Sequence, residues 1–500
     1  MLSRQTASQL RDKAQSSSKD TPPKMEDAIP LPVGYDTVCG KISLTSGYEK
    51  HKAIFPPKVE AVRVLGNVHD PVKGAHPRNV GRSSMLAGIP YYVFGQVANV
   101  STDGYAFGTV SNAVARALEP LTDPLPTTYV SVERNGFIHP FLGLTENEVK
   151  YQHDTGMHII ISIQGGICEG ELGSGKGCVW FQKLIREKKD GVTIRNYYQG
   201  TGVAPVKVDG VTGELLNKRV FGEDVLFEKH EPAFGTFCSA VDNQWYYLWG
   251  RYCEDIYLAR VSLLHPFERD YYQFWNGYSF TGNIKMIAPV LTGYSHGTIY
   301  KTKLFGHTYK WAFIGSTDWE DSAVMMGAAN DPQGPFEITQ VASGEKLRET
   351  GTFAGCVYAH PWAYDESLGE IFVSWREQWP GGIVGAKVQL QMLHQGAFWK
   401  DISLDSLQTC ISTLAKTRNE LVDIASAHGV FYELDTRGYG KVNIRLLGGS
   451  AKAVNDAALA ICKQVENWAR QALGIEGRES KKTFKNAFGL IGKRKNKENK

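Results

Sequence analysis

The sequence predicts a mainly β protein, a five-bladed β-propeller followed by a small α+β module. From Val59 to Leu393 short apolar or alternating runs such as VEAVRVLG, YYVFG, MHIIISIQGG, QWYYLWGR and GAKVQLQML are punctuated by Gly, Pro, Asn and Asp. Repeated strand-and-turn signals on this scale indicate an all-β architecture. The 52 Gly and 21 Pro argue against a helical bundle. After Trp399 the period changes, and helix-like segments alternate with strands.

Taken in order, residues 1–30 contain Ser-Ser-Ser and Pro-Pro and show no periodicity, which predicts a disordered arm. The propeller is expected over 38–398. Units of strand, polar turn and strand recur at about 60–127, 128–194, 195–262, 285–345 and 350–395. DNQWYYLWGRYCEDIYLARV and WAFIGSTDWEDSAVMMGAANDPQGPFE carry the hairpin pattern most plainly. Five sheets of about four strands suit a propeller, with a large β-sandwich as the rival. Over 400–475, LDSLQTCISTLAKTRNELVDIASAHG reads as a helix and HGVFYELD and GKVNIRLLGG as strands. SAKAVNDAALAICKQVENWARQALG reads as a longer helix, with Ser450 as N-cap and Gly474 as its stop. Residues 476–500 form a basic tail that is expected to be disordered.

The net charge of +3 conceals an asymmetry: residues 478–500 hold nine Lys/Arg against two Glu, so the rest of the chain is mildly acidic. Such a body offers no broad electrostatic footprint for a nucleic-acid backbone. The N-terminus lacks the apolar stretch of a secretory signal, and nowhere do 18 apolar residues run together. The expectation is a cytoplasmic or nuclear protein without a membrane partner. The eight cysteines include no CxxC pair. Buried free thiols are therefore expected, with no metal site and no cofactor.

The segments YYVFG (91–95), TVSNAVA (109–115), GTFCSAVDNQWYYLWGRYCEDIYLARV (235–261), SHGTIY (295–300), WEDSAVMMGAA (319–329), GPFE (334–337) and YAHPWAYDESLGEIFVSWREQWPGGIVGAKVQL (358–390) carry a resemblance that spans nearly all of 60–395. In their order they resemble a fungal and actinobacterial domain-of-unknown-function family that includes endo-D-arabinanases, which are five-bladed propeller glycoside hydrolases. The C-terminal module resembles a KH domain. KH domains clamp nucleic-acid backbones with a GxxG loop. The corresponding stretch here is Ala415-Lys416-Thr417-Arg418, which lacks both glycines, so RNA ranks behind a glycan or a protein as partner.

Glycoside cleavage needs two carboxyl groups, one as acid and one as base or nucleophile. The resemblance implies aspartates in Arg-Asp-x-Gly and Phe-Gly-Asp-Thr segments of the first blade. This chain has Arg78-Asn79-Val80-Gly81 and Phe94-Gly95-Gln96-Val97. An amide keeps the size of the acid but cannot serve as base or nucleophile. Asn79 and Gln96 therefore suit a funnel that holds a polar ligand without hydrolysing it, a carbohydrate- or protein-binding module. The alternative is an active hydrolase on arabinofuranoside-type glycans with displaced acids, Asp103 and Glu377 being the candidates and Asp70 a further one.

Each candidate also has a structural reading. Asp103 precedes Gly104 and reads as a turn residue, as does Asp242 before Asn243. Glu377 would pair with Arg376, and His360 would be a satisfied core histidine. As funnel residues, His296, His360, Trp375 and Trp379 would supply titratable groups and sugar-stacking faces. Ser295 beside His296 would be a nucleophile pair only with an orienting acid. Gly170 to Gly177 nearly spells a phosphate-cradling loop, but Gly177 replaces the hydroxyl after Lys176 and a strand follows instead of a helix. It is expected to be a rim loop over the propeller mouth.

Overall fold

The computed structural model describes residues 34–37, 40–49, 52–73, 77–100, 105–120, 122–133, 136–189, 192–219, 225–306, 309–317, 323–343, 353–377, 381–392, 397–405, 419–438 and 441–472. The expected arm (1–30), Asp103, Trp379, residues 415–418, Gly474 and the basic tail (476–500) lie outside them. The chain divides into two units, His51–Leu393 and Met1–Lys50 with His394–Lys500.

In the larger unit five antiparallel sheets follow one another. The first runs Arg78–Leu86, Ile89–Val100, Ala113–Glu119, Asp123–Tyr129, with Ala106–Val110 beside its second strand. The second runs Ile167–Glu169, Lys176–Lys189, Val192–Val208, Leu215–Asn217, flanked by His158–Ser162 and Phe227–Glu228. The third is built on Ala233–Asp242, Trp245–Tyr252 and Asp255–Ser262, and the fourth on His296–Lys301, Trp311–Ser316, Ala323–Ala329 and Glu337–Ser343. The fifth, Phe353–Ala359, Glu370–Glu377 and Ile383–Leu390, takes its outer strand, Val59–Asn67, from the beginning of the unit, with Val62 opposite Val388.

The sheets differ from the expected spacing in two places. Lys176–Lys189 and Val192–Val208 form one long hairpin that crosses the expected cut at 194, because the pairing register runs unbroken across the turn apart from two bulges. The strand at 59–67 closes the last sheet instead of opening the first.

The first strands of the five sheets touch in cyclic order: Arg78–Leu86 meets Ile167–Glu169, then come Ala233–Asp242, His296–Lys301 and Phe353–Ala359, which returns to Arg78–Leu86. Each pair of neighbouring sheets has its own apolar cluster. Tyr91 and Val93 pack with Ile161 and Val179, Trp180 and Phe227 with Leu248 and Phe274, and Trp249 with Trp311 and Phe313. Ile314 and Met326 pack with Val373 and Trp375, and Phe372 and Ile383 with Tyr92 and Phe94. Burying side chains of this size contributes about 1.5–3 kcal/mol each, so sheet-to-sheet packing holds the ring together. Close approach also dictates a glycine. Gly235 (φ 80°) lies where a Cβ would sit 2.5 Å from the Trp180 ring.

In the smaller unit the strand order is Gly34–Thr37, Gly40–Glu49, Ala397–Asp405, Lys441–Gly448, Phe431–Gly438. Residues 419–427 are helical, and helix Ala451–Ala472 lays Val454, Ala457, Ala458 and Ile461 against Ile402, Leu404, Val442 and Ile444. Ser450 stands ahead of that helix with Oγ 3.5 Å from the Ala453 amide. Gly40–Glu49 pairs along its whole length with Ala397–Asp405. Residues 40–49 thus belong to this unit and not to the 38–398 stretch expected, because a strand is placed by its ladder partner rather than by its chain neighbour. No helix among the described residues is long and apolar enough to cross a membrane.

Candidate functional site

The first strands of the sheets all begin at one end of the ring, and a cavity of about 260 Å³ opens there. The second sheet and the loop before it supply Gln182 and Gln164, the third Thr236, Phe237 and Arg251, the fourth Ser295 and His296, and the fifth Tyr358. No Asp or Glu is among these lining residues. The amides are anchored from one side: Gln164 Nε2 donates to Ser162 Oγ (3.2 Å) and Gln182 Nε2 to Thr236 Oγ1 (3.1 Å). Their carbonyl oxygens remain as acceptors.

Arg82, 3% exposed, is joined to the wall of this cavity through the backbone of Phe237. Its guanidinium donates to Phe237 O (2.8 Å), Gly297 O (3.1 Å) and Cys238 Sγ (2.7 Å), bridging the first sheet to the third and fourth, and lies 5.7 Å from the Tyr358 ring centroid. Among the described residues no carboxylate pairs with it. A buried cation held by two carbonyls and a thiol puts positive charge behind the Phe237 part of the wall.

His296 Nδ1 is 3.1 Å from Ser295 Oγ, and Nε2 is 3.5 Å from Cys356 Sγ. Burial, then the nearby Arg251 and Arg376, holds the imidazole pKa at about 4. It is neutral at pH 7 and too weak a base to activate Ser295. Burial pushes the Cys356 thiol up to about 12, so it is a neutral thiol and not a nucleophile. Cys356 (φ 56°) and Val80 (φ 75°), packed together with Tyr358, both hold left-handed backbone at the starts of adjacent inner strands. Such conformations are costly for non-glycine residues, and a β-branched one especially.

Asn79 and Gln96 do come together: Asn79 Nδ2 donates to Gln96 Oε1 at 2.9 Å, while Asn79 Oδ1 is buried without a partner. Neither lines the cavity. Glu377 ends the strand Glu370–Glu377, and its register opposite Phe353 sets it at the end of the fifth sheet where Cys356 meets His296. Burial raises its carboxyl above the ordinary range. The anticipated pairing with Arg376 is to the backbone, Arg376 Nε donating to Glu377 O (3.2 Å).

Two further predicted funnel residues lie elsewhere. His360 is 0% exposed, with Nδ1 2.5 Å from Ser83 Oγ and Nε2 2.7 Å from Ser374 Oγ, packed against Tyr92, Trp362 and Phe372. Both ring nitrogens are occupied by the core. Trp375, 2% exposed, packs between the fourth and fifth sheets and has no open face for a sugar. Asp242 receives Lys301 Nζ, and Asp70 caps a turn through Val72 N (2.9 Å) and Lys73 N (3.0 Å). The glycine loop lies at the other end of the inner strands from the cavity, because it follows the last residue of Ile167–Glu169. Its amides are occupied: Glu169 accepts from Gly173 N (3.0 Å) and Gly175 N (2.9 Å), and from Ala87 N (2.7 Å).

Arg82, Arg251, Gln164, Gln182 and Thr236 carry no motif that singles them out. Of the six described cysteines, five are buried, Cys253 is exposed, and all are free thiols. No group of three or more His, Cys, Asp or Glu converges as a metal site among the described residues.

No family model matches the chain. No curated protein matches it either. Among solved structures it is similar to the GH43_1 enzyme from Xanthomonas citri complexed with xylose, at 10% identity and a TM-score of 0.35 over 65% of this chain and 90% of that one. It is also similar to an α-L-arabinofuranosidase from Clostridium thermocellum, at 12% identity and a TM-score of 0.34 over 65% of this chain and 95% of that one.

Proposed function

We propose that residues 51–393 are a five-bladed propeller of the glycoside-hydrolase type that has lost its catalytic acids and acts as a carbohydrate-binding module. The observation that carries this reading is the cavity wall: amides, hydroxyls, a neutral imidazole and a guanidinium, with no carboxylate. Hydrolysis of a glycoside needs a carboxyl pair about 5–10 Å apart. Glu377 supplies at most one member, and the Asn79–Gln96 amides supply none. The cyclic contact of the inner strands supports the five-bladed reading. In the smaller unit, the strand order from Ala397–Asp405 through Lys441–Gly448 to Phe431–Gly438 with a helix on one face supports a KH-like fold.

The test offers the full chain neutral and acidic oligosaccharides while reducing ends are measured on arabinan and xylan. Binding without release of sugar is the expected result. Release that disappears in Glu377→Gln would replace this reading with the active hydrolase.

A further inference from the structure

We infer that the cavity takes an anionic sugar, a glycosyl unit bearing a carboxylate such as a uronate, with Arg251 as the group that meets its charge. This rests on the carbohydrate-binding reading above. Arg251 lines the opening and is exposed. Its Nε is committed to Cys253 O (2.6 Å), which fixes the side chain, and its terminal nitrogens have no carboxylate partner among the described residues.

A second cation, Arg82, adds to the charge of the first. It is buried, unpaired with any acid, and bonded to the backbone of Phe237, which lines the same space. Low-dielectric surroundings strengthen the field of such a charge. Glu377 is not part of the wall.

The rest of the wall suits hydroxyls more than aromatic stacking. The free carbonyls of Gln164 and Gln182 and the hydroxyl of Ser295 can hold sugar hydroxyls. The two aromatic residues present, Phe237 at 6% and Tyr358 at 1% exposure, have no open face on which a neutral ring would stack. Discrimination therefore falls to charge. One charge-assisted hydrogen-bond pair favours the acid over its neutral counterpart by about 10- to 100-fold.

The experiment titrates the full chain at pH 7 with a uronic-acid disaccharide, with the methyl ester of the same disaccharide, and with inorganic phosphate. The expected result is uronate binding at least about 10-fold tighter than the ester, with the preference lost in Arg251→Gln and retained in part in Arg251→Lys. Circular dichroism would verify that both variants fold. Equal binding of acid and ester, or a preference that persists in Arg251→Gln, overturns the inference and leaves the carbohydrate reading standing. Phosphate binding that depends on Arg251 without either disaccharide makes this an oxyanion site and overturns both, as does binding of none of the three.

Discussion

The side-chain amide of Asn79 donates to Gln96 Oε1 at 2.9 Å across the first hairpin of the ring. Two amides can share a hydrogen bond at this distance, whereas two ionised carboxylates repel and force one pKa upward. The double variant Asn79→Asp/Gln96→Glu is therefore expected to be less stable than the parent at pH 7, by about 1–3 kcal/mol. The deficit should shrink on acidification toward pH 4, as one acid takes up a proton. Urea unfolding followed at both pH values measures this. Equal stability at pH 7 would mean that the two side chains do not meet.

His360 gives a pH dependence of known sign. Burial, then Arg82, holds its pKa at about 3, far below the ordinary value of 6.5. The unfolded chain therefore binds a proton that the folded chain refuses. The stabilisation is complete above pH 6.5 and is lost as pH falls through the window toward 3, at up to about 1.4 kcal/mol per pH unit. His296, with a pKa of about 4, acts in the same direction. The urea midpoint should fall between pH 6.5 and 4.5, and fall less steeply in His360→Gln. An unchanged slope in that variant would show that His360 is solvated.

Much of the strand content is legible in the sequence because short apolar runs bounded by turn residues mark strands buried on both faces, as Tyr246 to Gly250 in QWYYLWGR show. Partnership is less legible. Val59–Asn67 and Ile383–Leu390 lie at opposite ends of the unit, and neither names the other locally. The helix Glu146–Thr155 escapes a search for apolar stripes because it is largely polar. Its signal was the capping box, Thr145 accepting from Glu148 N while Glu148 bonds Thr145 N. At the site, the sequence picks out the amides at 79 and 96 but not their contact. It also suggests His360 and Trp375 as ligands, when sheet packing has sealed both. Arg82 stands among small residues in a strand, and only the ring reveals that its guanidinium crosses to two other sheets.

Glu148 is the acid of a buried ion cluster, bound by Arg219 through both oxygens and by Lys183 at 2.8 Å. Burial pushes its pKa up, but the hydrogen bonds from Arg219, Lys183 and the Thr145 amide outweigh it and hold the value at about 2. Its contribution is present above about pH 4.5 and is lost as pH falls toward 2. Glu148→Gln leaves two cations short of a counter-charge and is expected to cost about 2–4 kcal/mol at pH 7. The gap from the parent should close as both are acidified to pH 2. A gap independent of pH would assign the loss to packing.

Glu169 fills with its own carboxylate the cradle that a phosphate would need. Three backbone amides, those of Ala87, Gly173 and Gly175, converge on its two oxygens. Gly175 (φ 67°) and Gly173 (φ 78°) supply the left-handed backbone that turns their N–H groups inward. A nucleotide would have to displace a tethered carboxylate of like charge, so none is expected to bind. Glu169→Ala would leave the three amides to water, at a cost of about 1–2 kcal/mol in this half-exposed loop. Hydrogen exchange should then quicken at Gly173 and Gly175 and stay unchanged in the cavity-lining strands at the other end of the ring. Glu169→Gln keeps one acceptor and should fall between the two. Exchange as slow as in the parent for Glu169→Ala would mean that the glycines hold the loop without the acid.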